Sequence, residues 1–172
     1  MNVIETEVKG CLLFEPQKYT DERGYFVELF NQSRYGVWFD LVPRWQQVNC
    51  SKSHKGVVRG LHVAPFAKLV NCVKGRIFDV AVDPRPDSPT YLKWVGYELS
   101  EESGMQLYIP AGCGHGFMAL EESVVVYLQD SIYDPKAESS IHWQDPIFAI
   151  SWPCDKGYIV SDKDEVAPKF AS

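Results

Sequence analysis

Turn residues interrupt this chain at intervals of about 8–12 residues, and short apolar or alternating runs fill the spaces between them. Runs at 57–64, 68–73, 76–82, 91–99, 106–109, 116–120 and 124–128 have the length of strands rather than helices. Within 76–82, Ile77, Asp79 and Ala81 share one face, and Phe78, Val80 and Val82 the other. Lys74-Gly75, between the second and third runs, reads as a hairpin turn. Helix is confined to a short piece over 31–40, capped by Asn31 or Ser33 and weakened by Gly36. Residues 101–104 form a polar turn, and the charged, proline-containing tail 161–172 reads as irregular. Such a chain is expected to fold as an all-β sandwich or barrel.

Length and composition narrow the class of function. At 172 residues, with 45% hydrophobic residues and no repeat or linker, the expectation is one domain spanning 1–172. The net charge of -6 argues against a nucleic-acid partner, which calls for a basic face. A phosphate-bearing small molecule stays open, because a few placed arginines suffice to bind it. No stretch approaches the roughly 18 apolar residues of a membrane span. The first ten residues carry Glu5, Glu7 and Lys9 without an apolar core, so no signal peptide is expected. The five cysteines are odd in number, widely spaced and without a C-x-x-C pair, which fits reduced thiols in the cytoplasm.

Two of the four histidines stand in informative company. His62 ends the run Arg59-Gly60-Leu61-His62, and His115 closes Pro110-Ala111-Gly112-Cys113-Gly114-His115. The second spacing, Pro-x-Gly-x-x-His, resembles the second motif of cupin barrels, whose mouth holds one small ligand. Metal-binding cupins carry His-x-His in their first motif. Here Ala64 stands where the second histidine would be, and Asp79 alone does not complete a ligand set. The expectation is therefore a site without metal. Taken singly, each histidine reads equally well as a hydrogen-bonded structural residue.

A more specific resemblance spans nearly the whole chain. It is carried by Asp21-Glu22-Arg23-Gly24-Tyr25-Phe26-Val27-Glu28, by Gln47-Val48-Asn49-Cys50-Ser51-Lys52-Ser53 and by Val58-Arg59-Gly60-Leu61-His62. Lys68-Leu69-Val70, the run from Gly75 to Asp83 and the segment from Ile109 to Phe117 continue it. Trp143-Gln144-Asp145-Pro146, Trp152-Pro153 and Ser161-Asp162-Lys163-Asp164 complete it. In this order the segments resemble the dTDP-4-dehydrorhamnose 3,5-epimerase family. The resemblance implies a double-stranded β-helix (jelly-roll) barrel with short peripheral helices, a homodimer, no cofactor and a nucleotide-sugar substrate. The reaction it implies is inversion of carbons beside the keto group of a nucleotide-linked 4-keto-6-deoxy sugar.

The same resemblance assigns roles. His62 matches the base, Asp164 its carboxylate partner, Tyr127 the acid on the opposite face with Tyr133 as the alternative, and Lys68 a cation beside the enolate. Arg59, His115, Gln47, Asn49, Glu138 and Lys163 match ligand contacts. Arg23, Phe26 and Glu28 match a segment reaching the nucleotide from the partner subunit. The chemistry suits these residue types: an α-proton is weakly acidic, so its removal needs a placed base and a stabilised enolate oxygen. One departure concerns residues 63–67, where the family commonly has a longer loop. The shortening is expected to reshape the sugar pocket. It leaves dTDP-4-keto-6-deoxyglucose and a GDP-linked 4-keto-6-deoxy-heptose both open, with C3, C5 or both inverted. A ketoisomerase and a non-catalytic sugar-nucleotide-binding cupin are the competing readings.

Overall fold

A computed structural model describes residues 1–39, 44–153 and 156–170. The first strands are β1 (Asn2–Glu5), β2 (Leu12–Glu15), β3 (Lys18–Asp21) and β4 (Gly24–Val27). After helix α1 (Gln32–Tyr35) come β5 (Gln47–Ser53), β6 (Val58–Val63), β7 (Lys68–Lys74) and β8 (Arg76–Val82). β9 (Trp94–Ser100), β10 (Gln106–Ile109), β11 (Gly114–Ala119), β12 (Ser123–Gln129) and β13 (Ser139–Ser140) follow, and helix α2 (Asp162–Glu165) comes last. The all-β architecture expected from the pattern is present, as the barrel that the family resemblance implies. Six strands form one sheet in the order β1-β2-β10-β7-β12-β5, and five form the other in the order β13-β6-β11-β8-β9. The β3–β4 hairpin stands apart as a two-stranded ribbon.

Alternation along the strands builds the interior. Val70 and Cys72 of β7, Ile77 and Ala81 of β8, Leu107 of β10, Phe117 of β11 and Val125 of β12 meet between the two sheets. At about 1.5–3 kcal/mol for each fully buried large apolar side chain, this layer holds the sheets face to face. The opposite face of β8 is also covered: Val80 and Val82 pack with Leu61, Ile141 and Phe148. This is why 76–82 is apolar at nearly every position. On the outer face of the larger sheet, Phe14, Leu69 and Tyr108 pack under Tyr35 and Phe39, which the α1 segment supplies.

Four local expectations are corrected. Lys74-Gly75 is not a hairpin turn: β7 pairs with β10 and β12, β8 with β11 and β9, so the turn carries the chain from one sheet to the other. Gly75 makes that corner at φ 71°, where a Cβ would lie 2.3 Å from the Glu122 carbonyl oxygen. The strand expected from Tyr91 begins at Trp94, because residues 91–92 complete a turn with Leu92 at φ 65°. The 31–40 helix is one α-turn capped by Asn31, then a 3-10 turn over Gly36–Trp38, with Asp40 outside the described residues. The tail is not wholly irregular, since Ser161 caps α2 by accepting a hydrogen bond from the Asp164 amide. The sequence pattern singles out no strand before residue 57, whereas the structure has five there, four of them only four residues long.

Candidate active site

The interior of the barrel changes character along its strands. β7 begins inward with Lys68 before turning apolar at Val70, and β12 passes from Val125 to Tyr127 and Gln129. At this end the sheets leave a cavity of about 450 Å³, which is large enough for a sugar and part of a nucleotide. Its walls include Arg59 and His62 of β6, Lys68, His115 and Phe117 of β11, Tyr127, Tyr133, Glu138, Lys163 and Asp164.

His62 and Asp164 form a dyad. His62 Nε2 lies 2.7 Å from Asp164 Oδ1, and Asp164 Oδ2 accepts a hydrogen bond from the Gly60 amide at 3.2 Å. An ionised carboxylate only accepts, so Nε2 carries a proton, and in the neutral ring the lone pair is on Nδ1. Burial pushes the Asp164 carboxyl up, but hydrogen bonds to His62, Gly60 and Ser161, together with the His62 charge, hold it below the usual carboxylate range. The partners are 102 residues apart in sequence. α2 brings them together, its first turn fixed by the Ser161 cap. Gly60 lets the neighbouring strand β11 lie close against β6: at φ 107°, a Cβ there would lie 2.5 Å from the His115 carbonyl oxygen.

A second histidine–carboxylate pair lies on the neighbouring strands. His115 Nε2 is 2.8 Å from Oδ1 of Asp79, which is fully buried. Burial raises the Asp79 carboxyl, although the His115 and Lys68 charges pull it down. Its Oδ2 has no hydrogen-bond partner among the described residues. Lys68 is 6% exposed; burial lowers its ammonium, while the carboxylates of Glu138 and Asp79 raise it. Tyr127 is driven up by burial and by Glu138, with Arg59 opposing. The cavity thus holds a desolvated cation, an oriented imidazole and a phenol, in surroundings where charge is weakly screened.

Of the residues singled out from sequence, His62, Asp164, Tyr127, Lys68, Arg59, His115, Tyr133, Glu138 and Lys163 all line this cavity. Gln47 and Asn49 do not. Gln47 donates to Asn49, Asn49 donates to Gln129, and Gln47 accepts from the Tyr133 amide. They form an amide chain behind the wall, and Gln129, which does line it, was not singled out. Its signal was its position two residues after Tyr127 on the same strand face. Asp79, weighed only as a metal ligand, is the partner of His115. Arg23, Phe26 and Glu28 lie away from the cavity: Phe26 is 69% exposed, Arg23 pairs with Asp21, and Glu28 pairs with Arg34. The short loop 63–67 does not itself line the cavity, although its Phe66 ring lies against the Lys68 ammonium, with Nζ 5.5 Å from the ring centroid. Its Ala64, Phe66 and Ala67 are buried. Among the described residues no group of three or more His, Cys, Asp and Glu could hold a metal ion.

Known proteins resemble this chain over nearly its whole length. The family pattern described as dTDP-4-dehydrorhamnose 3,5-epimerase matches residues 5–172. The dTDP-4-dehydrorhamnose 3,5-epimerase of Shigella flexneri is 47% identical over 99% of this chain and 96% of its own. The crystal structure of the enzyme of that name from Elizabethkingia anophelis superposes with a TM-score of 0.92 at 41% identity, covering 99% of this chain and 96% of that one. The dTDP-6-deoxy-D-glucose-3,5-epimerase of Legionella pneumophila, solved with dTDP-4-keto-L-rhamnose, gives 0.93 at 39% identity and 99% coverage of both. The chain belongs to the dTDP-4-dehydrorhamnose 3,5-epimerase family and is an epimerase.

Proposed function

We propose that this enzyme inverts C3 and C5 of dTDP-4-keto-6-deoxyglucose, with His62 as base, Tyr127 as acid and Lys68 at the enolate oxygen. The observation that carries the reading is the His62–Asp164 dyad beside a buried ammonium and a phenol in one cavity. His62 Nδ1 takes the α-proton, and the carbon–hydrogen electrons move into the enolate. Asp164 stabilises the imidazolium that results. The Lys68 ammonium lies over the Phe66 ring and makes no side-chain hydrogen bond among the described residues, so it can donate to the enolate oxygen. Tyr127 returns a proton from the opposite side of the sugar, and inversion follows. Arg59, held by Ser53 and the Lys52 carbonyl, presents its fork to the diphosphate, and His115, anchored by Asp79, contacts the sugar.

The proposal extends to assembly and setting. The protein works as a cytoplasmic homodimer in deoxysugar biosynthesis for capsule or lipopolysaccharide. The β3–β4 hairpin carries Arg23, Phe26 and the adjoining Glu28 to the partner's nucleotide. Support comes from its separation from the two main sheets and the exposure of Tyr19, Tyr25 and Phe26. No helix among the described residues is long and apolar enough to cross a membrane. The test is NMR of dTDP-4-keto-6-deoxyglucose with the enzyme in deuterated water. Deuterium at C3 and C5 with the keto group still at C4 is expected. Migration of the keto group would instead indicate a ketoisomerase, and absence of exchange a binding protein.

A further inference from the structure

Inverting two carbons with one base raises a problem that the dyad alone does not solve. After the first abstraction His62 is an imidazolium with protons on both nitrogens, and the sugar still fills the cavity. Before the second abstraction, Nδ1 must lose its proton. Asp164 faces the other nitrogen and does not receive it.

Among the described residues, the other carboxylate within 4.0 Å of a ring nitrogen is that of Glu138. Its Oε1 lies 4.0 Å from His62 Nδ1 and 3.3 Å from Lys163 Nζ. The Glu138 side chain is 8% exposed and that of Lys163 59% exposed, so the line runs from the base outward to the rim. The 4.0 Å gap is too long for a hydrogen bond, which leaves the resting Nδ1 lone pair free for the sugar. Once Nδ1 is protonated, attraction between imidazolium and carboxylate closes the gap, or one water bridges it.

We infer that Glu138, beyond any contact with the ligand, is a catalytic residue that takes the abstracted proton from His62 Nδ1 and passes it to solvent at the rim beside Lys163. This rests on the epimerase reading above. The balance is complete: the carbon-bound proton leaves through His62 and Glu138 to water, and the tyrosinate left by reprotonation recovers a proton from water. Lys163 Nζ, 3.3 Å from Glu138 Oε1, marks the rim where the proton leaves.

The test is rapid-quench kinetics with dTDP-4-keto-6-deoxyglucose in deuterated water, following each carbon separately. In the unsubstituted enzyme the two inversions are expected to follow one another without a burst. In Glu138→Gln, one inverted carbon per active site is expected to form in a burst, after which further inversion slows about 10²-fold relative to that first event, the size of a lost proton-transfer group. Added formate should restore the slow phase in Glu138→Ala, since a small carboxylate replaces the missing relay. Equal slowing of both inversions from the first turnover would show Glu138 to be only a ligand contact or electrostatic partner. Kinetics like the parent's would remove it from the reaction. Either result overturns the inference and leaves the epimerase reading intact, whereas failure of the parent to exchange any α-proton would overturn that reading.

Discussion

Replacing Asp164 by asparagine tests the dyad through its tautomer. The carboxylate accepts from His62 Nε2 at 2.7 Å on one oxygen and from the Gly60 amide at 3.2 Å on the other. Asparagine has one acceptor oxygen. If that oxygen turns to Gly60, the amide nitrogen donates to Nε2, and the ring proton must move to Nδ1. The base then has no lone pair facing the sugar. If the oxygen turns to His62 instead, the buried Gly60 amide is left facing a donor, at a cost of about 1–3 kcal/mol. The first orientation is therefore favoured, and the imidazolium also loses a charged partner worth about 1.5–3 kcal/mol, or roughly 10–200-fold in rate. With the wrong tautomer added, α-proton exchange should fall by about 10²–10⁴-fold. The assay is deuterium incorporation by NMR, with dTDP titrated calorimetrically to show that nucleotide affinity is retained. Asp164→Ala fixes neither tautomer and is expected to exchange faster than Asp164→Asn. An asparagine variant within about fivefold of the parent, or faster than the alanine variant, would refute the tautomer argument, because loss of a proton-transfer group costs far more.

Tyr127→Phe is expected to hamper reprotonation and leave product with one carbon inverted, read by NMR of the products; if Tyr133→Phe does so instead, the acid is Tyr133. Gly60→Ala is expected to unfold at lower denaturant, by about 2 kcal/mol or more, because the added methyl meets the His115 carbonyl oxygen at 2.5 Å in a left-handed backbone; an unchanged midpoint would contradict that. Asp83 supplies acid sensitivity. Burial raises its carboxyl, but hydrogen bonds from Arg85, Ser88 and Thr90 outweigh that and hold it at about 2. A folded-state value below the unfolded one gives stability that is fully present above about pH 4 and is lost as pH falls through 2. The contribution is about 2 kcal/mol. Asp83→Asn should flatten that part of the stability curve measured by denaturant titration, and a curve as steep as the parent's would show that other groups carry it.

What was legible in the sequence follows from how far apart the determining residues lie. The strands of 57–128 could be read because each carries its own period, as Ile77, Asp79 and Ala81 do against Phe78, Val80 and Val82. Where the strands pair could not be read that way. Lys74-Gly75 has the local chemistry of a hairpin, yet β7 is buried along most of its length between β10 and β12, a demand set by residues more than thirty positions away. The four-residue strands β1–β4 are too short to show a period and owe their existence to partners. The site divides along the same line. His62 and His115 sit in motifs that announce themselves, because strand-end geometry and glycine are local. Asp164 has no local signal as a partner of His62; only the family resemblance points to it. Its position depends on a four-residue helix that Ser161 caps and that the pattern of the tail does not predict. Gln47 and Asn49 show the converse limit. Resemblance marks them as belonging near the ligand, but their amides are spent on each other, on Gln129 and on the Tyr133 backbone. Gln47 reaches the cavity wall by accepting from the Tyr133 amide. Tyr133 is therefore where a change at Gln47 should be felt first.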